Sequence, residues 1–103
     1  MTLEELKKRC ETAKIKYQYG YVDDGVQPPF LVGVVSDSNN FIADDVVYKK
    51  INNIQLFYIY KSKDLSMEST IEDSILYDVA WRKSDEEYFV DEGVWQVIYY
   101  FSI

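Results

Sequence analysis

Four places in the chain set acidic side chains next to one another: Asp23-Asp24, Asp44-Asp45, Glu72-Asp73 and Asp85-Glu86-Glu87. Paired carboxylates can share general acid and general base work, or hold a divalent cation. Adjacent residues on a strand point to opposite faces, however. Three of the four pairs also fall in turn-like segments, so solvated turns account for them. The chain has no histidine and one cysteine, Cys10, which removes histidine-based proton transfer, a Cys–His nucleophile, the usual zinc patterns and an internal disulfide. Asp37, Asn39 and Phe41 occupy alternate positions of a calcium loop, but the phenylalanine breaks the set and no glycine or distal glutamate follows. Gly20, Gly25, Gly33 and Gly93 are too scattered to cradle a phosphate. The expectation is a protein that is not an enzyme, with no cofactor and no metal site.

The elements that would carry these residues read as follows. Thr2 and Glu5 have the spacing of a capping box, and Leu3, Leu6, Cys10 and Ala13 recur at helical spacing, so a helix is predicted from Thr2 to Ala13. Cys10 on that stripe reads as a small core residue. From Ile15 the period changes to two, through Tyr17, Tyr19 and Tyr21, which predicts a half-buried strand. Asp23-Asp24-Gly25 reads as a turn. The run from Phe30 to Val35 is apolar on both faces, which places it inside a sheet. Ser36 to Asn40 reads as a loop, and Asn52-Asn53 as the turn of a hairpin between Val46–Ile51 and Ile54–Lys61.

Asp64 can cap a second helix running to Tyr77, with Met67, Ile71 and Ile75 one turn apart and Leu76 on the opposite side. That leaves two outcomes: the helix ends early, or a second apolar contact waits at Leu76. Val79–Lys83 and Tyr88–Val90 suggest a hairpin around the acidic turn at residues 84–87. The last run alternates cleanly, with Trp95, Val97, Tyr99, Phe101 and Ile103 on one face. It is expected to be tied into the sheet, so that deleting the last five residues abolishes folding. Hairpins and segregated helices favour an α+β domain: a mostly antiparallel sheet of about five to six strands with two helices packed on it.

At 103 residues, 48% of them hydrophobic, the chain is expected to form one domain, residues 1–103. The aromatic content of 17% is too high for a disordered segment. The start has no apolar run and no stretch approaches a membrane span, so the expected setting is cytoplasmic, with no membrane partner. The net charge of −7 is unevenly spread: between Asp64 and Glu92 ten acidic residues face two basic ones, Arg82 and Lys83. The predicted first helix carries a basic cluster, Lys7, Lys8 and Arg9. The acidic balance argues against specific nucleic-acid binding through phosphates. Tyrosine and tryptophan in these numbers suit surfaces where proteins meet.

Several segments together resemble a known family. They are Phe41-Ile42-Ala43-Asp44-Asp45-Val46-Val47-Tyr48, Ile54-Gln55-Leu56-Phe57-Tyr58, and Lys63-Asp64 opening a helix with Glu68 and Ile71-Glu72-Asp73. The ending, Trp81-Arg82-Lys83 with Tyr88, Glu92 and Trp95 to Phe101, belongs to the same pattern. It resembles the tail terminator and head–tail joining proteins of long-tailed phages and prophages of Gram-positive bacteria. Leu65 stands where the family commonly has proline, and Gly93 where a bulkier residue is common. The resemblance implies a structural protein of the virion neck, made in the host cytoplasm. It implies a homo-hexameric ring that caps the tail tube and docks to the head connector, with DNA passing through. An acidic lumen would let DNA slide.

Under that reading Asp37, Asn39, Asn40, Asp44 and Asp45 are candidates for a lumen or ring loop. Lys7, Lys8 and Arg9 against Glu68, Glu72 and Asp73 are candidates for the contact between neighbours. The competing reading is an acidic inhibitor that mimics DNA and binds a nuclease or a DNA-binding protein, motivated by the cluster from Asp64 to Glu92.

Overall fold

A computed structural model describes residues 1–43 and 45–103. Helix α1 (Leu3–Thr12) starts where Thr2 Oγ1 accepts a hydrogen bond from the Glu5 amide at 3.1 Å. Among the described residues eight strands follow: β1 (Tyr17–Tyr19), β2 (Phe30–Ser38), β3 (Phe41–Ala43), β4 (Val46–Lys49), β5 (Asn52–Tyr60), β6 (Arg82–Lys83), β7 (Glu87–Phe89) and β8 (Val94–Ser102). Helix α2 (Leu65–Thr70) lies between β5 and β6 and passes into a π-helical turn at Ile71–Ile75. The fold is α+β. Its main sheet runs β1-β2-β5-β8, with β6 and β7 both on the outer edge of β8. Among the described residues only the β1–β2 pair is parallel. Among them, too, no helix is long and apolar enough to cross a membrane.

The sheet has two unlike faces because its strands alternate. Leu31 of β2, Ile54, Leu56, Tyr58 and Tyr60 of β5, and Val97, Tyr99 and Phe101 of β8 form one cluster with Leu6 and Cys10 of α1 and with Ile71, Ile75 and Leu76. Both helices therefore sit on one side. Gly33 belongs to that side, and a Cβ there would lie 2.9 Å from Tyr17 Oη and 3.1 Å from Cε1. A strand glycine of this kind marks a close approach. Gly33→Ala is expected to lower stability by about 1–3 kcal/mol through overpacking, read as a lower urea midpoint with unchanged slope.

Four local expectations need correction. Residues 36–38 are strand, not loop: Asp37 and Ser38 pair with Asn53 and Asn52. Asn52-Asn53 is not a turn but the start of β5, held on its other side by Ser102. The hairpin is displaced to β3–β4, where Asp45 has a left-handed φ of 61°. Finally, β6 and β7 do not pair with each other. Each pairs with β8, and Ser84 bridges the break: its amide donates to Ile98 O and its hydroxyl accepts from Ile98 N.

The second helix resolves the position of Leu76. Its amide donates to Ile71 O at 3.0 Å, an i→i+5 bond that adds a residue to the turn. The wider turn rotates Leu76 toward the core, where it is fully buried with Ile71 and Ile75.

Candidate functional site

One cluster of ionisable side chains lies between the second helix and the β6–β7 edge. Glu68 is buried at 3% exposure. Lys63 Nζ lies 2.8 Å from its Oε2 and Lys83 Nζ 2.6 Å from its Oε1. Lys83 also reaches Glu72 Oε2 at 2.8 Å, and Lys63 pairs with Glu86. Tyr99 donates its hydroxyl to Glu72 at 2.7 Å. Burial alone pushes the Glu68 carboxyl up, and the hydrogen bonds from the two lysines outweigh it, so the group ends below its usual range. The hydrogen bond from Lys63 likewise holds Glu86 low. Burial and the Glu72 contact raise Tyr99.

Two lysines are paired with three carboxylates within the chain, and no cysteine stands among them. Cys10 is remote and fully buried, and burial lifts its thiol to about 12, so it stays protonated at neutral pH. Among the described residues, no group of three Cys, Asp or Glu side chains is placed to hold a metal. The arrangement is a clamp. It fastens the second helix to the far edge of the sheet across a gap in sequence.

The residues proposed for contact between neighbours therefore separate. Glu68 and Glu72 are engaged internally. Arg9 donates to Asp78 at 2.7 and 3.0 Å and to Ile75 O at 2.9 Å, and its guanidinium lies 4.6 Å from the Tyr77 ring centre. It fixes α1 to the end of the π-helical turn, and its hydrogen bond holds Asp78 low. Lys7, Lys8 and Asp73 remain exposed. The proposed ring loop separates too. Asp37 lies in β2 and accepts from Asn53 Nδ2 at 2.7 Å. Asn39 and Asn40 close the foot of the β3–β4 ribbon, through Asn39 N to Ile51 O at 2.8 Å and Ile51 N to Asn40 Oδ1 at 3.2 Å. Asp45 is exposed at the ribbon's tip, and Asp44 lies outside the described residues.

Two surfaces went unread in the sequence. The first is the face of the sheet opposite the helices. Val32 and Val34 of β2, Phe57 and Ile59 of β5, and Ile98 and Tyr100 of β8 share it by register. Each is half-buried by its sheet neighbours, and none joins the cluster formed with the helices. The second is the β3–β4 ribbon, which among the described residues approaches no other helix or strand. Ile42, Val46 and Val47 on it are exposed, at 63%, 66% and 44%. The molecule measures 50 × 28 × 25 Å with a radius of gyration of 14.8 Å, against about 13 Å for a compact domain of this length.

The apolar pattern on both faces of β2 was the available signal for the first surface. It reads equally as a strand covered on both sides and as one covered on one side only. No protein-family model matches the chain, and no curated protein matches it.

Proposed function

We propose that this chain is a structural assembly protein, one subunit of a homo-hexameric ring at the neck of a long-tailed phage. The ring caps the tail tube and docks to the head connector, and DNA passes through it without sequence-specific binding. One observation carries the reading: an apolar sheet face bare of helices, on a protomer with a protruding apolar ribbon. Apolar surface of this extent suits contact with protein rather than chemistry on a small substrate. The internal pairing of the ionisable cluster supports a structural role as well.

The acidic-inhibitor reading keeps only part of its charge cluster. Of the ten acidic residues between Asp64 and Glu92, Glu68, Glu72, Asp78 and Glu86 are held by Lys63, Lys83 and Arg9 and are not free to imitate phosphates.

Native mass spectrometry across a concentration series, with negative-stain images of the large species, tests the proposal. A closed hexamer that binds purified tail tubes is the expected result. A chain that stays monomeric, ignores tail tubes and binds a nuclease in competition with DNA would overturn it in favour of the inhibitor.

A further inference from the structure

We infer that the β3–β4 ribbon of one copy lies on the open sheet face of the next, and that this exchange is the contact that joins subunits. The inference rests on the self-association proposed above and adds its geometry. Both surfaces are apolar and both lack a partner within the chain among the described residues. They are also different patches on one molecule, so joining them is a head-to-tail contact, which propagates into a ring or a filament rather than stopping at a pair.

Charge fixes the direction of the ribbon. On the open face Arg82 stands opposite Tyr100 and Glu87 opposite Gln96. Those positions are four residues apart on β8, or about 13 Å. Arg82 is already drawn over the face, its guanidinium 4.1 Å from the Tyr100 ring centre. On the ribbon, Asp45 lies in the turn at the tip and Lys49 ends β4 at the foot, so the length of that strand separates them, on the order of 10 Å. One orientation sets Asp45 beside Arg82 and Lys49 beside Glu87, with Val47, on the same side of β4 as Lys49, between them above the apolar side chains. The reverse orientation sets like charges together at both ends, which is unfavourable. At the Arg82 end the face descends into a depression of about 630 Å³ bordered by Gln55, Tyr100 and Asn53, with room for the tip of a ribbon.

The test is a charge exchange read by sedimentation velocity. Lys49→Glu and Glu87→Lys, both at exposed positions, each place like charges at the contact. Each alone is expected to raise the midpoint concentration for assembly at least tenfold, and the double variant is expected to return to within about threefold of wild type. A fourth variant, with residues 41–49 replaced by a short Gly-Ser link, is expected to stay monomeric. Matching circular dichroism and melting curves show that all four are folded. Assembly by the ribbonless variant at the wild-type concentration, or a double variant as weak as the singles, overturns ribbon exchange and leaves the ring standing on some other contact. Wild-type protein that is monomeric at every concentration also overturns it, while binding of that monomer to tail tubes would still uphold the proposed function.

Discussion

Deleting residues 99–103 is expected to yield a chain with no cooperative thermal transition. Strand β8 lies between β5 and the β6–β7 edge, so losing its last residues removes support from both sides at once. Tyr99 and Phe101 belong to the core at 0% and 5% exposure, and emptying an aromatic core site costs about 3–5 kcal/mol. Two such sites together approach the whole stability of a small domain, about 5–15 kcal/mol. The deletion removes more than packing. Asn52 and Ile103 exchange two backbone hydrogen bonds of 2.9 Å, and Arg82 and Lys83 pair with Tyr100 and Tyr99. The Tyr99 hydroxyl also leaves Glu72 without one of its donors. Far-ultraviolet circular dichroism during heating reads the outcome. A sharp transition in the shortened chain would show that β5 and the helices hold a core without the end of β8.

What the sequence disclosed and what it hid divide along the range of the interactions. Helix α1 was legible because its start is decided within four residues, by Thr2 and the Glu5 amide. Strand β8 was legible because it is one long run of strand-forming residues, in which burial alternates from Gln96 to Phe101. Asn52-Asn53 misled because asparagine favours turns locally, whereas its place here is set by strands on both sides and by side-chain bonds to Asp37 and Ser102. The same bonds turn the polar stretch at residues 36–38 into strand. The π-helical turn leaves no mark in helical spacing, since the extra residue becomes visible only when Leu76 meets the core. Arg9 and Asp78 are 69 residues apart, and nothing local pairs them. The two helices looked like opposed charged surfaces because their in-chain partners lie far along the chain. Fold class was carried by periodicity, and the surfaces open to partners were not.

Lys83→Met is expected to lower stability by about 3 kcal/mol at pH 7, and the deficit is expected to shrink in acid. Methionine keeps most of the aliphatic stem and removes the charge. Glu68 then loses its 2.6 Å partner and Glu72 its 2.8 Å partner. Breaking a buried ion pair from one side costs about 3–5 kcal/mol. The lower end applies here, because Lys83 keeps 30% of its side chain in water and Lys63 still reaches Glu68. The pH dependence follows from the direction of the shift. The folded Glu68 carboxyl lies below its usual range, so its contribution is complete above the unfolded value of about 4.3 and is lost as pH falls through the folded one. Wild type therefore weakens in acid through Glu68, and the variant has less of that contribution to lose. The raised lysines act at the other end: their contribution is present below about 10.4 and fades as pH rises through their folded values. Urea unfolding of both proteins at pH 7 and at about pH 2, well below the unfolded value, measures the difference. A deficit below about 0.5 kcal/mol at pH 7, the range of ordinary surface changes, would mean that Lys63 alone satisfies Glu68. A deficit equal at both pH values would mean that Lys83 acts through contacts that the ionisation of Glu68 does not govern, such as its Nζ at 5.5 Å from the Tyr99 ring centre, and not through its pair with Glu68.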